Sequence, residues 1–117
     1  AAGPKRLLLG QGELANFYNG HPGICYLALL ELKPGSVRGN HVHRVKLEHV
    51  YLISGRLKVI ASAESDADSV SFEVNPGELV TIEAGIAHAF KTIEGGYAIE
   101  FSPMLFDGSD VEKRNLI

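Results

Sequence analysis

Four residues of this chain have side chains and spacing suited to holding a metal ion: His41, His43, Glu48 and His88. Imidazole nitrogen and carboxylate oxygen are the ligands that suit borderline divalent ions such as zinc, iron, nickel, copper and manganese. His41 and His43 stand two apart, so on a strand both side chains point to one face. Glu48 falls in the next apolar run and His88 in a distant one. A compact β-fold would bring the four together and leave one or two coordination positions open. An ion held that way polarises a carbonyl, lowers the pKa of bound water or, if redox-active, binds dioxygen.

The elements that must position these residues are short runs separated by Gly, Pro, Asn and Asp. Strands are expected over 24–32, 37–44, 47–53, 56–63, 70–74, 79–82, 87–93 and 97–102. Lys33-Pro34-Gly35 and Asn75-Pro76-Gly77 carry turn chemistry, with Pro setting φ and Gly permitting positive φ. The 56–63 run is expected to pair back on 47–53 after Ser54-Gly55, residues 64–69 to form a hairpin loop, and Gly95-Gly96 a tight connection. Helical periodicity is weak, and 108–117 reads as one closing turn or a tail. Regular strands with turn signals between them point to an all-β fold, a small antiparallel jelly-roll barrel.

With 117 residues the chain is long enough for one domain, 1–117, and too short for two cores. Hydrophobic content of 45% and charged content of 21% fit an ordered globular protein. A net charge of −3 with no basic cluster argues against nucleic-acid binding. No apolar stretch approaches the roughly 20 residues of a membrane span. The start lacks the apolar core of a signal peptide, and the single cysteine, Cys25, forms no internal disulfide, so a reducing cytosol is the expected home. Cys25 itself, in an apolar run, is expected to be a buried small hydrophobe.

The glycines frame the four ligands in a recognisable pattern. Gly35, five residues, His41, one residue, His43, four residues, Glu48, six residues and Gly55 resemble the first signature of the cupin superfamily. Gly77, five residues, Glu83-Ala84-Gly85, His88 and Thr92 resemble the second, with Glu83 where the family has Pro and Thr92 where it has Asn. The motifs occupy 35–55 and 77–92, separated by the twenty-one residues 56–76. The resemblance implies a metal-binding cupin holding one divalent transition metal (Zn, Fe, Mn, Ni or Cu) through His41, His43, Glu48 and His88. It further implies a dioxygenase, decarboxylase or isomerase acting on a small oxygenated substrate, with Glu48 in some relatives doubling as a proton shuttle.

The stretch from Arg38 to Glu48 is also similar to the RGxHxH…LE segment of cupins that isomerise or epimerise nucleotide-linked keto-sugars, and 106–110 looks like the end of that group. In that alternative no metal is needed and His43 is the acid/base residue, a role neutral histidine suits. A third reading is a non-catalytic cupin that binds or senses a small ligand.

Among the remaining residues, His49 follows Glu48 and is expected to face outward, and His21 to lie in a loop. Arg38 and Asn40 are expected at the surface, although a bulge near Gly39 would turn either toward the cavity mouth. Glu83 is expected to be exposed. Tyr26, Tyr51, Phe90, Tyr97 and Phe101 are the aromatics able to line a substrate pocket. A homodimer is expected, because small antiparallel folds expose edge strands that a partner covers, with residues 5–9 crossing over.

Overall fold

The computed structural model describes residues 5–18, 23–63, 69–105 and 107–116. Among these residues are eleven strands: β1 (Lys5–Leu9), β2 (Gly12–Asn16), β3 (Tyr26–Leu32), β4 (Val37–His43), β5 (Glu48–Leu52), β6 (Arg56–Ala63), β7 (Val70–Val74), β8 (Leu79–Ile82), β9 (Ile86–Glu94), β10 (Gly96–Ser102) and β11 (Val111–Lys113). β3, β10, β5 and β8 form one antiparallel sheet, and β11, β4, β9, β6 and β7 a second. β1 and β2 form a separate hairpin. This is the jelly roll expected from the strand spacing. Among the described residues no helix is long and apolar enough to cross a membrane.

Alternation along each strand builds the core. Val50 and Leu52 on β5, Ala98 on β10, Val80 and Ile82 on β8 and Leu32 on β3 face Leu57, Val59, Val74 and Phe90 of the other sheet. These residues are buried, and their apolar surface is what holds the two sheets together.

Three features depart from the sequence reading. β6 does not pair back on β5; the Ser54-Gly55 turn carries the chain to the other sheet, where β6 lies between β9 and β7. Turn chemistry marks where a strand ends but not which strand it next joins, and here both strands bury their apolar faces by crossing the sandwich. The C-terminal segment is neither helix nor tail: a 3₁₀ turn at Gly108–Asp110 leads into β11, which pairs with β4. Cys25 is exposed, one residue before β3 begins, and its backbone N–H donates to Ser102 O at 2.9 Å. Residues 64–68 of the expected loop and His21 lie outside the described residues.

Candidate metal centre

The site is built on a bulge in β4. Gly39 pairs with Ala89 of β9, but the next pair is His41 with His88, so Asn40 is the extra residue. Gly39 and Asn40 take φ of 88° and 56°, the left-handed conformation that Gly adopts freely and Asn tolerates. A Cβ on Gly39 would lie 2.8 Å from His88 O, so only glycine lets β4 approach β9 this closely. The bulge shifts the strand's parity. Arg38, opposite Phe90, now shares the inner face with His41 and His43 instead of opposing them.

From the facing sheet Glu48 enters at the start of β5. One ligand atom from each of His41, His43, Glu48 and His88 can be chosen so that all four lie within 4.8 Å of one another. His88 Nε2 stands 3.0 Å from Glu48 Oε2, and His43 Nε2 stands 3.4 Å from Glu48 Oε1. A cavity of about 200 Å³ opens over the cluster, walled by Leu30, Val50, Leu57 and Phe90, with Tyr26, Arg38, Lys46 and Glu100 also on its lining.

Electrostatics favour neutral rings at His41 and His43 and an ionised Glu48. Burial, with His88 and His43 nearby, lowers His41 to about 4, and burial lowers His43 as well, so both are neutral imidazoles at neutral pH. Burial pushes Glu48 up, but His88, Glu100 and Lys46 outweigh it and hold the carboxyl well below its ordinary range. Lys46 Nζ donates to Glu48 Oε1 at 3.2 Å and lies 4.5 Å from the centre of the Tyr26 ring. Glu100 is raised to about 7, first by burial, then by the charge and hydrogen bond of Glu48.

The donor atoms fit a divalent ion. His88 Nδ1–H donates to Ile86 O at 3.1 Å, which fixes the ring with Nε2 toward the cluster, 3.0 Å from Glu48 Oε2. His41 Nε2, both ring nitrogens of His43 and Glu48 Oε2 are buried with no hydrogen-bond partner. One nitrogen of neutral His43 carries the ring proton, and the remaining buried lone pairs are costly unless a cation satisfies them. Donors sharing one ion at roughly 2.0–2.2 Å lie at most about 4.4 Å apart, close to the spacing seen. His43 Nδ1 lies 3.6 Å from Asp110 Oδ2, and that carboxylate accepts backbone N–H bonds from Arg44, Val45 and Lys46 at 3.0 Å each. Asp110 thus braces the turn that carries His43.

Residues 28–101, holding the bulge, the four candidate ligands and both glycine frames, match the cupin domain family. The chain belongs to the cupins. Sequence comparison finds no match among curated proteins. Solved structures similar to this cupin include a 3,4-ketoisomerase from Helicobacter canadensis (TM-score 0.81, 13% identity, 94% of this chain and 86% of that one). Another is ChmJ, a 3'-monoepimerase from Streptomyces bikiniensis in complex with dTDP-quinovose (TM-score 0.83, 10% identity, 96% and 67%). The capsular polysaccharide assembling protein CapF from Staphylococcus aureus is also similar (TM-score 0.71, 21% identity), and its matched part is 35% of that longer chain against 97% of this one. At these identities the likeness shows the fold.

The cupin's cavity receives Tyr26 and Phe90 but not the other three aromatics expected there. Tyr51, Tyr97 and Phe101 alternate to the outer faces of β5 and β10, opposite Glu48, Val50 and Glu100. Tyr51 stacks on Phe17 with ring centres 4.4 Å apart, Phe101 packs against Phe17, Tyr18 and His49, and Tyr97 is exposed. His49 faces outward as expected, with Nδ1 at 2.9 Å from Thr81 Oγ1, and Glu83 is exposed. Arg38 is exposed yet on the cavity lining, the outcome a bulge allowed. Sequence reasoning missed Lys46, Glu100 and Asp110. Glu100 had a usable signal, since it is a charge between apolar neighbours on a strand of otherwise buried parity. Asp110 had none, being sixty-six residues from Arg44, the first N–H it accepts.

Glu100 predicts a pH signature in metal-free protein. Its folded pKa of about 7 lies above the ordinary 4.5, so its contribution to stability is present at low pH and lost as pH rises from 4.5 to 7. His41 acts oppositely: its contribution is present above 6.5 and lost as pH falls toward 4. Chelated Glu100→Gln is therefore expected to gain thermal stability over wild type on going from about pH 5 to about pH 8, by about 5 °C. Circular-dichroism melts at both pH values check this, and an unchanged difference would mean that Glu100 titrates in its ordinary range.

Proposed function

We propose that this cupin is a metalloenzyme that binds one divalent transition metal through His41, His43, Glu48 and His88 and acts on a small carbonyl-containing substrate. The observation that carries the reading is the gathering of four buried donor atoms, most without hydrogen-bond partners, at the floor of a cavity. A bound ion there supplies Lewis-acid polarisation and, if it is iron, oxygen chemistry.

The chain's own residues define what such a substrate meets. Arg38 and Lys46 bring positive charge to the cavity lining and favour a substrate rich in oxygen or carrying an anionic group. Leu30, Val50, Leu57 and Phe90 form an apolar wall that limits water. Glu48 stays ionised, whereas Glu100, raised to about 7, is near half-protonated at neutral pH and suited to accept and return a proton beside a carbonyl.

A second reading is favoured by a separate observation. Structures similar to this one include a 3,4-ketoisomerase and a 3'-monoepimerase, and His43 here sits between Asp110 and Glu48. A histidine flanked by two carboxylates can move a proton on a keto-sugar without a metal. A non-catalytic binding module is the third.

Turnover of a panel of keto-acids, diketones and keto-sugars, before and after chelation and after adding back single metals, tests all three. Activity lost on chelation and restored by one metal is the expected result. Activity that persists in metal-free protein favours acid/base chemistry on sugars, and ligand binding without turnover favours the module.

A further inference from the structure

The cavity lining is sorted by level along its strands. One level holds the four candidate ligands. Two residues further along β5 and β9, Glu48 gives way to Val50 and His88 to Phe90, and Leu30 and Leu57 also line the cavity as apolar residues. Arg38 belongs to this second level, because the bulge pairs Arg38 with Phe90 while His41 pairs with His88. Two strand residues separate the levels, about 7 Å.

The two cations on the lining differ in what they hold. Lys46 Nζ is engaged by Glu48 Oε1 at 3.2 Å and lies over the Tyr26 ring. Arg38 makes one hydrogen bond among the described residues, from Nη2 to Glu31 O on β3 at 3.0 Å, and has no carboxylate partner among them. A guanidinium carries five N–H donors in a planar fork. This bond therefore steadies the side chain across the gap between the sheets and leaves donors for a planar anion.

The apolar wall restricts what accompanies that anion. Leu30, Val50, Leu57 and Phe90 offer no side-chain hydrogen bond. A sugar ring carries hydroxyls around its edge, and each one turned to this wall would lose water without gaining a partner. A methylene chain gains there by leaving water. Size narrows the choice further. A cavity of about 150 Å³ holds benzene, so the roughly 200 Å³ here holds about eight non-hydrogen atoms.

We infer that the substrate is a short oxo acid whose carboxylate and carbonyl are separated by methylene groups. The carboxylate sits on Arg38, the carbon chain lies against Val50, Leu57 and Phe90, and the carbonyl oxygen faces the ligand cluster. An acid with the two groups on adjacent carbons is too short to reach both levels. 4-Oxopentanoate matches the length and the volume. The carbonyl end rests on the metal site proposed above, whereas the acid end rests on Arg38 alone.

Calorimetric titration of the zinc-loaded full chain tests this, with metal content measured on every sample. The ligands are 4-oxopentanoate, its neutral amide, 2-oxopentanoate and a ketohexose. 4-Oxopentanoate is expected to bind roughly tenfold or more tighter than each of the others. Arg38→Gln is expected to bring the acid down to the level of the amide while zinc content and circular dichroism stay unchanged, a pattern that loss of fold would not give. Arg38→Lys, which keeps the charge but not the paired donors, should fall between. Equal binding of acid and amide by wild type overturns the inference, as does an acid preference that survives Arg38→Gln. So do tighter binding of 2-oxopentanoate or the ketohexose, and no binding of 4-oxopentanoate at millimolar concentration. A chain that takes up no zinc marks failure of the metal reading before any ligand is added. In that protein 4-oxopentanoate and pentanoate are expected to bind alike, each more tightly than its amide, and an acid-to-amide ratio unchanged by Arg38→Gln overturns the inference there too.

Discussion

Replacing His88 with alanine is expected to reduce metal content from about one ion per chain to a small fraction of that, with affinity down about 100-fold or more. The imidazole is almost fully buried and its Nδ1–H is held by Ile86 O, so Nε2 is aimed at the site before any ion arrives. Preorganisation of this kind is lost entirely with the ring. His43→Ala should act in the same direction, removing a ring that faces Glu48 Oε1 at 3.4 Å. The two readouts are metal content by plasma mass spectrometry and the melting temperature with and without chelator. An ion present at about 1,000 times its dissociation constant stabilises the fold by about 4 kcal/mol. Chelation should then lower the wild-type midpoint by on the order of 10 °C or more and leave His88→Ala unmoved. Wild-type occupancy in both variants would sink the ligand assignment.

The second large effect falls on a residue with no side chain. Gly39→Ala would put a Cβ 2.8 Å from His88 O at a backbone φ of 88°, a combination that can be relieved only by moving β4 away from β9. Left-handed strain and the displacement together are expected to cost about 2–4 kcal/mol. The same movement separates His41 from His88, so metal affinity should fall with stability. Asn40→Gly is the companion variant. It keeps the bulge, because glycine accepts φ near 56°, and loses chiefly the bond from Leu116 N to Asn40 Oδ1. It should therefore retain its metal and most of its stability. Thermal melts and metal content on the two variants check the pair, and a Gly39→Ala protein that melts and binds metal like wild type would show that the bulge is dispensable.

The origin of these effects explains what could be read without coordinates. The run of β6, β7 and β8 was legible to the residue because Val, Ile, Leu and Phe alternate there between Gly- and Pro-bearing turns. The inward set Glu48, Val50 and Leu52 followed from strict period-two alternation on a strand without irregularity. Arg38 is different: on a regular strand it opposes His41, and one extra residue at Asn40 reverses that. A strand's period is two, so a single inserted residue inverts every inference on one side of it. The hairpin at the N-terminus and the short β11 escaped for another reason: pairing rather than pattern makes them strands.

By itself the sequence determined the strand succession from β3 to β10, the turns between those strands and the identity of the four ligand candidates. These depend on local alternation, turn residues and side-chain chemistry, all of which act over a few residues. Tertiary structure alone decided that β6 crosses to the opposite sheet and that Lys46 and Glu100 stand beside Glu48. It alone set Asp110 under His43 and turned Tyr97 and Phe101 away from the cavity. Those outcomes depend on which sheet each strand joins and in what register, and long-range burial of apolar faces, rather than any local preference, selects both.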